Sequence, residues 1–339
     1  MSKIPEHLIE KVKAIPSKPG IYQMKDMYGY VMYIGKSKTL QSRVKSYFYT
    51  DHKQNKIERM VFHIHDIDVI VTDTHLEAQI LECALIKKMK PIYNSQMKND
   101  NKYVYLKIES NHRLKPLSIV HKRENEHCIG PYRSKSKLIK IIEFFQNIYP
   151  ITKCDNLYKF TYKVLPESLD REDFEKNKEC LEEILYKEEC MKTFLSQISE
   201  KMDIAASKFQ FETASAYRDI LENIKYLHDN YLNQIKTLEY RKILMGEQID
   251  DGYKVFYISN NRIVLKKKYK GLTKDIVEDF LKQADKLDKQ VSYIMNEKRD
   301  LDFKKIIYTE IKDDESKSIL YIDDDYCIDQ FINKLIKSK

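Results

Sequence analysis

The chain has 339 residues, enough for two or three domains that each bury a modest core. Lys and Arg (60) outnumber Asp and Glu (52), and the formal charge of +8 suits a polyanionic partner as well as it suits an ordinary Lys-rich protein. No apolar run is long enough to span a bilayer, the N-terminal MSKIPEHLIEKVKAIPSK lacks a signal-peptide core, and Cys83, Cys128, Cys154, Cys180, Cys190 and Cys327 form no CxxC pair, so a cytoplasmic protein with reduced thiols is expected.

Residues 20–35 read as a β-hairpin: GIYQMK, a turn over Asp26–Gly29, then YVMYIG. Both runs are rich in β-branched and aromatic residues, and Gly29 can supply a positive φ. From Ser37 to about Tyr49 the pattern turns helical, with Leu40, Val44 and Phe48 four apart. A third strand is expected at Asp68–Thr72, then a helix from about His75 to Met89 that ends before Pro91. YVYLKI and LSIVHK are strand candidates within 99–125. After Gly130–Pro131 the chain reads as mainly helical to about Met245. Residues 253–339 return to strand-like runs (YKVFYI, RIVLKK, KIIYTE, SILYID), with helices near 274–298 and 326–337. The fold class is α+β and multi-domain: a small α/β domain at 1–98, a connector of strands then helices at 99–190, a helical hairpin at 191–232 and an α/β region at 233–339.

Lys36, Arg43 and Tyr47 are spaced seven and four apart, so that on a helix they share one face. Tyr22 and Tyr33 lie on adjacent strands and can point to the same side, beside Gly20 and Gly35, where a backbone or substrate can approach closely. On the following helix Glu82 flanks the stripe of Ala78, Leu81, Leu85, Ile86 and Met89. A Glu there either reaches water or pairs with Lys36 or Arg43 at the stripe's edge, or it holds a metal. Phosphodiester hydrolysis needs an activated water, a cation against charge developing on the phosphate, and help for the leaving oxygen. Glu82 with Mg²⁺ or Mn²⁺, Lys36 and Arg43, and a tyrosine hydroxyl would cover all three.

PGIY (19–22), YIGKSKTLQSRVKSYF (33–48) and EAQILECALIKKMKPIYN (77–94) resemble the GIY-YIG nuclease domain, nearest to the N-terminal half of UvrC, the third component of the bacterial excinuclease ABC. The resemblance implies that Tyr22 and Tyr33 flank the attacking water and that one of them is the general base. A phenol with a reference pKa of about 10 needs a nearby cation for that role, and Lys36 is placed to help. It further implies that Arg43 and Tyr47 hold the scissile phosphate, that Glu82 is the one protein ligand to a divalent metal (Mg²⁺ or Mn²⁺), and that Asn94 hydrogen-bonds within the site.

A second constellation lies at 194–227, where Leu195, Ile198, Met202 and Ala205 on one helix and Ala214, Tyr217, Leu221 and Ile224 on the next form coiled-coil-like seams. The rest of this chain or a partner must cover such a hairpin. EKMDIAASKFQFETASAYRDIL resembles the UVR motif, the hairpin through which UvrC and UvrB recognise each other. That likeness implies Phe209 and Phe211 as apolar anchors at the bend, with Glu212, Arg218 and Asp219 supplying polar pairing and capping.

CIGPYRSKSKLIKIIEFFQNIYPITKC (128–154) resembles the UvrC connector that ends in a cysteine, but no close partner follows Cys154, and an iron–sulfur cluster is not expected. Residues 233–339 resemble the start of an RNase H-like domain, as a truncated or degenerate remnant. No metal set for a second cut can be placed there, and Asp323–Asp325 reads as a charged loop. The shortened layout resembles Cho, the UvrC homologue with one nuclease domain, with the UVR-like hairpin added. The expectation is a monomeric, cytoplasmic, metal-dependent endonuclease of nucleotide excision repair and the SOS response. It would cut damaged double-stranded DNA on the 3′ side of a lesion, recruited by UvrB with UvrA upstream, and Lys36, Arg43, Arg133, Lys135 and Lys137 would contact DNA phosphates. The alternatives are a non-catalytic UvrB-binding adaptor and a structure-selective nuclease outside excision repair.

Overall fold

The structure is a computed structural model that describes residues 4–49, 55–109, 115–163, 165, 169–229, 241–290, 296–312, 317–322 and 326–337. Residues 1–100 and 238–339 form one compact unit and residues 101–237 a second. Among the described residues no helix is long and apolar enough to cross a membrane.

In the first unit the N-terminal elements are α1 (Glu6–Ala14), β1 (Gly20–Lys25), β2 (Val31–Ser37), α2 (Leu40–Tyr49), α3 (Asn55–Phe62), β3 (Asp66–Val71) and α4 (His75–Met89). The three strands make an antiparallel sheet in the order β2-β1-β3, with Tyr22 opposite Gly35 and Met24 opposite Tyr33. Strand alternation sorts the faces: Tyr22 and Met24 join a core with Leu8, Leu40, Val44 and Phe48, whereas Ile21 and Ile34 pack with Ala78 and Ile86 of α4. The β1–β2 turn closes at Gly29, whose φ of 82° a residue with a Cβ rarely adopts. Thr74 and Glu77 form a capping box at the start of α4, and Lys90, in the left-handed conformation before Pro91, ends it.

The second unit contains β4 (Val104–Ile108), β5 (Leu117–Val120), β6 (Cys128–Tyr132), α5 (Lys135–Asn147), β7 (Thr152–Cys154), β8 (Leu157–Lys159), α6 (Arg171–Tyr186), α7 (Glu188–Ser207) and α8 (Phe211–Leu227). The hairpin formed by α7 and α8 is covered at its base by its own chain. Phe194, Ile198, Tyr217, Leu221 and Ile224 share a core with Leu138, Phe145 and Phe174, and the Phe145 and Phe194 rings stack with centroids 5.7 Å apart. Only part of this unit was expected to be extended: β7 and β8 fall in the stretch read as mainly helical and β6 straddles its start, because each is too short to show a period.

The chain then returns to the first unit with β9 (Lys242–Ile249), β10 (Gly252–Ser259), β11 (Arg262–Tyr269), α9 (Lys274–Gln290), α10 (Glu297–Lys312), β12 (Lys317–Tyr321) and α11 (Ile328–Lys337). An antiparallel sheet in the order β11-β10-β9-β12 is buried on both faces. Leu244, Val255 and Tyr257 pack against α9 and α11. Ile243, Met245 and Phe256, which alternate with them, meet Ile307 of α10 and also Leu76 and Cys83 of α4. Helix α4 is therefore held between two sheets. Ion pairs ring that contact: Lys254 reaches Asp73 at 2.7 Å and Glu77 at 3.0 Å, Lys266 reaches Glu77 at 2.7 Å, and Lys87 reaches the fully buried Asp302 at 2.8 Å.

Two local expectations are corrected. KIIYTE, read as a strand, lies inside α10, and Lys242–Met245, read as the end of a helical stretch, opens β9. The helical stretch expected near 274–298 is met by α9 to Gln290, and a further helix, α10, starts at Glu297 and takes in residues up to Lys312. Asp323–Asp325 lies outside the described residues.

Candidate active site

Strand β2 is the edge of its sheet, and the candidate residues gather along it. Tyr22 and Tyr33 sit diagonally across the β1–β2 ladder and point to one side, where α2 brings Tyr47 between them. The Tyr22 and Tyr47 hydroxyls are 2.9 Å apart, Tyr47 donates to the Tyr33 hydroxyl at 3.5 Å, and the three ring centroids lie 5.9–6.2 Å from one another. Arg43, one turn before Tyr47, donates to its hydroxyl at 3.3 Å, with its guanidinium carbon 5.0 Å from the ring centre. Gly35 makes the arrangement possible: a Cβ there would lie 2.2 Å from the Tyr22 hydroxyl oxygen.

The phenols are not equivalent. Tyr22 is 1% exposed and Tyr33 is half-buried, so only Tyr33 retains access to solvent. Burial pushes both phenols above the ordinary tyrosine range, the neighbouring Tyr47 adds to the shift, and Arg43 pulls against it. The cation at the phenols is thus Arg43. Lys36, expected to share a helix face with Arg43 and Tyr47, stands instead near the end of β2, because the helix begins only at Leu40.

Lys36 faces the carboxylate of α4. Glu82 is half-buried and no ion pair reaches it among the described residues. Burial raises its carboxyl above the ordinary range, while the Lys36 charge and backbone N–H oppose the shift. A desolvated carboxylate without a directly bonded cation, at the mouth of a cluster of hydroxyls, fits a hard divalent ion that keeps most of its water shell. No group of three or more His, Cys, Asp or Glu side chains gathers among the described residues. Asn94 accepts from the Ile34 backbone N–H at 3.0 Å and donates to the Ile34 carbonyl at 2.8 Å, so it takes the place of a neighbouring strand between Tyr33 and Gly35.

The structure thus brings Tyr22, Tyr33, Arg43 and Tyr47 into one contact cluster, with Lys36, Glu82 and Asn94 on and beside the same edge strand. One support went unread in the sequence. The T-x-x-E signal of the capping box, Thr74 and Glu77, was available there.

Elsewhere, Phe209 (80% exposed) and Phe211 (66%) project at the bend of the α7–α8 hairpin with ring centroids 6.1 Å apart. Glu212 opens α8 nearby, and Arg218 donates to the Ser215 hydroxyl at 3.0 Å and pairs with Asp219 at 3.4 Å. Lys135 and Lys137 are exposed at the start of α5, with Lys137 Nζ 4.6 Å from the centre of the Tyr226 ring. Arg133 is half-buried, its guanidinium carbon 6.0 Å from the centre of the Tyr103 ring.

An antiparallel hairpin flanked by helices, with two strand tyrosines, a helical Arg–Tyr pair and one carboxylate around its edge strand, defines a GIY-YIG nuclease domain. Residues 18–95 match the UvrC-like GIY-YIG domain and residues 192–227 match the UvrB/uvrC motif. The GIY-YIG N-terminal endonuclease domain of UvrC from Thermotoga maritima, solved with magnesium as its catalytic divalent cation, is 36% identical over 27% of this chain and 99% of its own, with a TM-score of 0.25. A Tyr-to-Phe point mutant of that domain, also bound to the catalytic divalent cation, is 34% identical over 27% of this chain and 100% of its own, again with a TM-score of 0.25. The chain belongs to the UvrC-like family of GIY-YIG endonucleases.

Proposed function

We propose that this chain is the incision nuclease of a UvrC-type nucleotide excision repair system. It hydrolyses one phosphodiester of damaged duplex DNA on the 3′ side of the lesion while bound to UvrB. The observation that carries the reading is the half-buried Glu82 carboxylate, without an ion pair among the described residues and facing Lys36, beside the Tyr22–Tyr47–Tyr33–Arg43 cluster. A scaffold would have no use for a desolvated carboxylate kept away from the cations around it.

Glu82 would hold Mg²⁺ or Mn²⁺, which when bound supplies Lewis-acid stabilisation of the charge developing on the phosphate. Arg43 and Tyr47 bind the scissile phosphate oxygens, and the hydrogen bond between them keeps the guanidinium pointed at that position. Tyr33 is the phenol that faces the attacking water, taking its proton as it releases its own to solvent, because Tyr22 is closed off. Tyr22 orients Tyr47 through their 2.9 Å contact. Lys36 places a positive charge where negative charge accumulates, and Asn94 holds the strand that carries Tyr33.

UvrB binds the tip of the α7–α8 hairpin, where Phe209 and Phe211 offer rigid apolar anchors and Glu212, Arg218 and Asp219 a polar rim. The test is an end-labelled duplex with one bulky lesion, incubated with and without UvrA and UvrB. A single UvrB-dependent cut on the 3′ side is expected. Cutting that ignores UvrB would point to a structure-selective nuclease, and stable UvrB binding without any cut would leave an adaptor.

A further inference from the structure

The C-terminal sheet carries a pocket that the incision chemistry does not use. Asn260 and Asn261 make the turn between β10 and β11 with φ of 50° and 61°. An Asn chosen only for that backbone would leave its amide in water. Asn261 is instead 2% exposed, and both its Nδ2 and its Oδ1 are buried without a hydrogen-bond partner. A donor and an acceptor left unmade side by side are rare in a folded protein and call for an explanation.

Asn261 lines a cavity of about 310 Å³, at the small end of the range for ligand pockets. Three cations and one carboxylate share the lining: Arg262, Arg299 and Lys304 against Asp300, which pairs with Arg262 at 3.5 Å. Lys304 is only 6% exposed and has no ion-pair or hydrogen-bond partner among the described residues. Arg299 is exposed at the rim. The half-buried ring of Phe303 and the side chain of Ile80, from α4, make the apolar part. A positively charged mouth, an aromatic face and a buried amide are together the recognition set for an anion joined to a flat polar ring.

We propose that this cavity binds a nucleotide, with the phosphate at Arg299 and Lys304, the base against Phe303, and the base edge paired with the Asn261 amide. Every nucleobase presents donor and acceptor atoms along one edge that a carboxamide can match. The nucleotide is either free or part of a DNA strand, and the chemistry is shared. The pocket uses none of the nuclease residues, so it stands or falls independently of the incision reading.

The experiment is fluorescence anisotropy on the full chain in EDTA, which prevents cutting, with two probes: a labelled deoxyadenosine monophosphate and a labelled eight-nucleotide single strand. Wild type is compared with Asn261→Gly, which tolerates the positive φ, and with Arg299→Glu, whose exposed position spares the core should the first variant fold poorly. At least one probe is expected to bind saturably and to lose tenfold or more in affinity in both folded variants. A response of the monophosphate assigns a free nucleotide, and a response of the strand alone assigns a base within DNA. Three results would overturn the proposal: neither probe binds, both variants bind as wild type does, or inorganic phosphate competes as well as the nucleotide.

Discussion

Gly35 lies under the ring of Tyr22, and an added methyl would fall 2.2 Å from its hydroxyl oxygen. Gly35→Ala is expected to displace Tyr22, cost about 1–3 kcal/mol of stability and lower single-turnover incision at least about a hundredfold, read by urea midpoint and quenched-flow nicking. Glu82 sets a pH limit. Its carboxyl is raised above the ordinary range, chiefly by burial, and only the ionised form holds a cation. Metal affinity should therefore be present above that raised pKa and fade as pH drops through it, earlier than for an exposed Glu. Calorimetric Mg²⁺ titrations across pH check this, and undiminished affinity down to about pH 4 would contradict it. At this scale the clustering was legible, because the hairpin pairing and the four-residue step from Arg43 to Tyr47 bring Tyr22, Tyr33, Arg43 and Tyr47 together, while Glu82 was drawn in by the resemblance to the GIY-YIG domain. The position of Lys36 at the end of a strand was not, since 33–48 reads as one pattern until the helix start is known. The two bonds between Asn94 and the Ile34 backbone cross 60 residues and leave no local mark.

Among the elements, α4 carries the most weight: one face packs on the nuclease sheet and the other on the C-terminal sheet. Lys87 is one of its polar ties on that second side, 2.8 Å from the fully buried Asp302. Lys87→Ala removes the cation beside a buried carboxylate and is expected to cost about 3 kcal/mol, seen as a lower urea midpoint with an unchanged m-value. The limits of α4 were readable from its period and from Pro91, yet its double burial was not. Leu76, Ile80 and Cys83 lie off the stripe that the periodicity picks out, and a helix apolar on several sides is a buried one. KIIYTE shows the opposite failure. Its β-branched run favours a strand locally, but Phe303, Ile307 and Ile311, four apart, put the longer segment on a helical period, and packing against β9 and β10 decides for the helix.

Across the whole molecule, the second unit buries the base of the α7–α8 hairpin and leaves its tip apolar and exposed. Replacing Phe209 and Phe211 together by Ala should leave thermal stability within about 0.5 kcal/mol, since neither ring is in the core, while UvrB capture falls at least tenfold. Equal capture by the double variant would place the partner surface elsewhere. The sequence patterns showed that this seam needs a cover, and the connector supplies it through Leu138, Phe145 and Phe174. The packing of the C-terminal sheet on α4 was invisible, because it joins segments more than 150 residues apart, such as Leu76 and Ile243.

The most direct measurement of the central claim is Mg²⁺-dependent nicking of a single-lesion duplex by wild type and Glu82→Gln, each shown to be folded and UvrB-bound. The account predicts a wild-type cut that titrates with Mg²⁺ and a variant slower by at least about a thousandfold. A Glu82→Gln protein that cuts at the wild-type rate would contradict it.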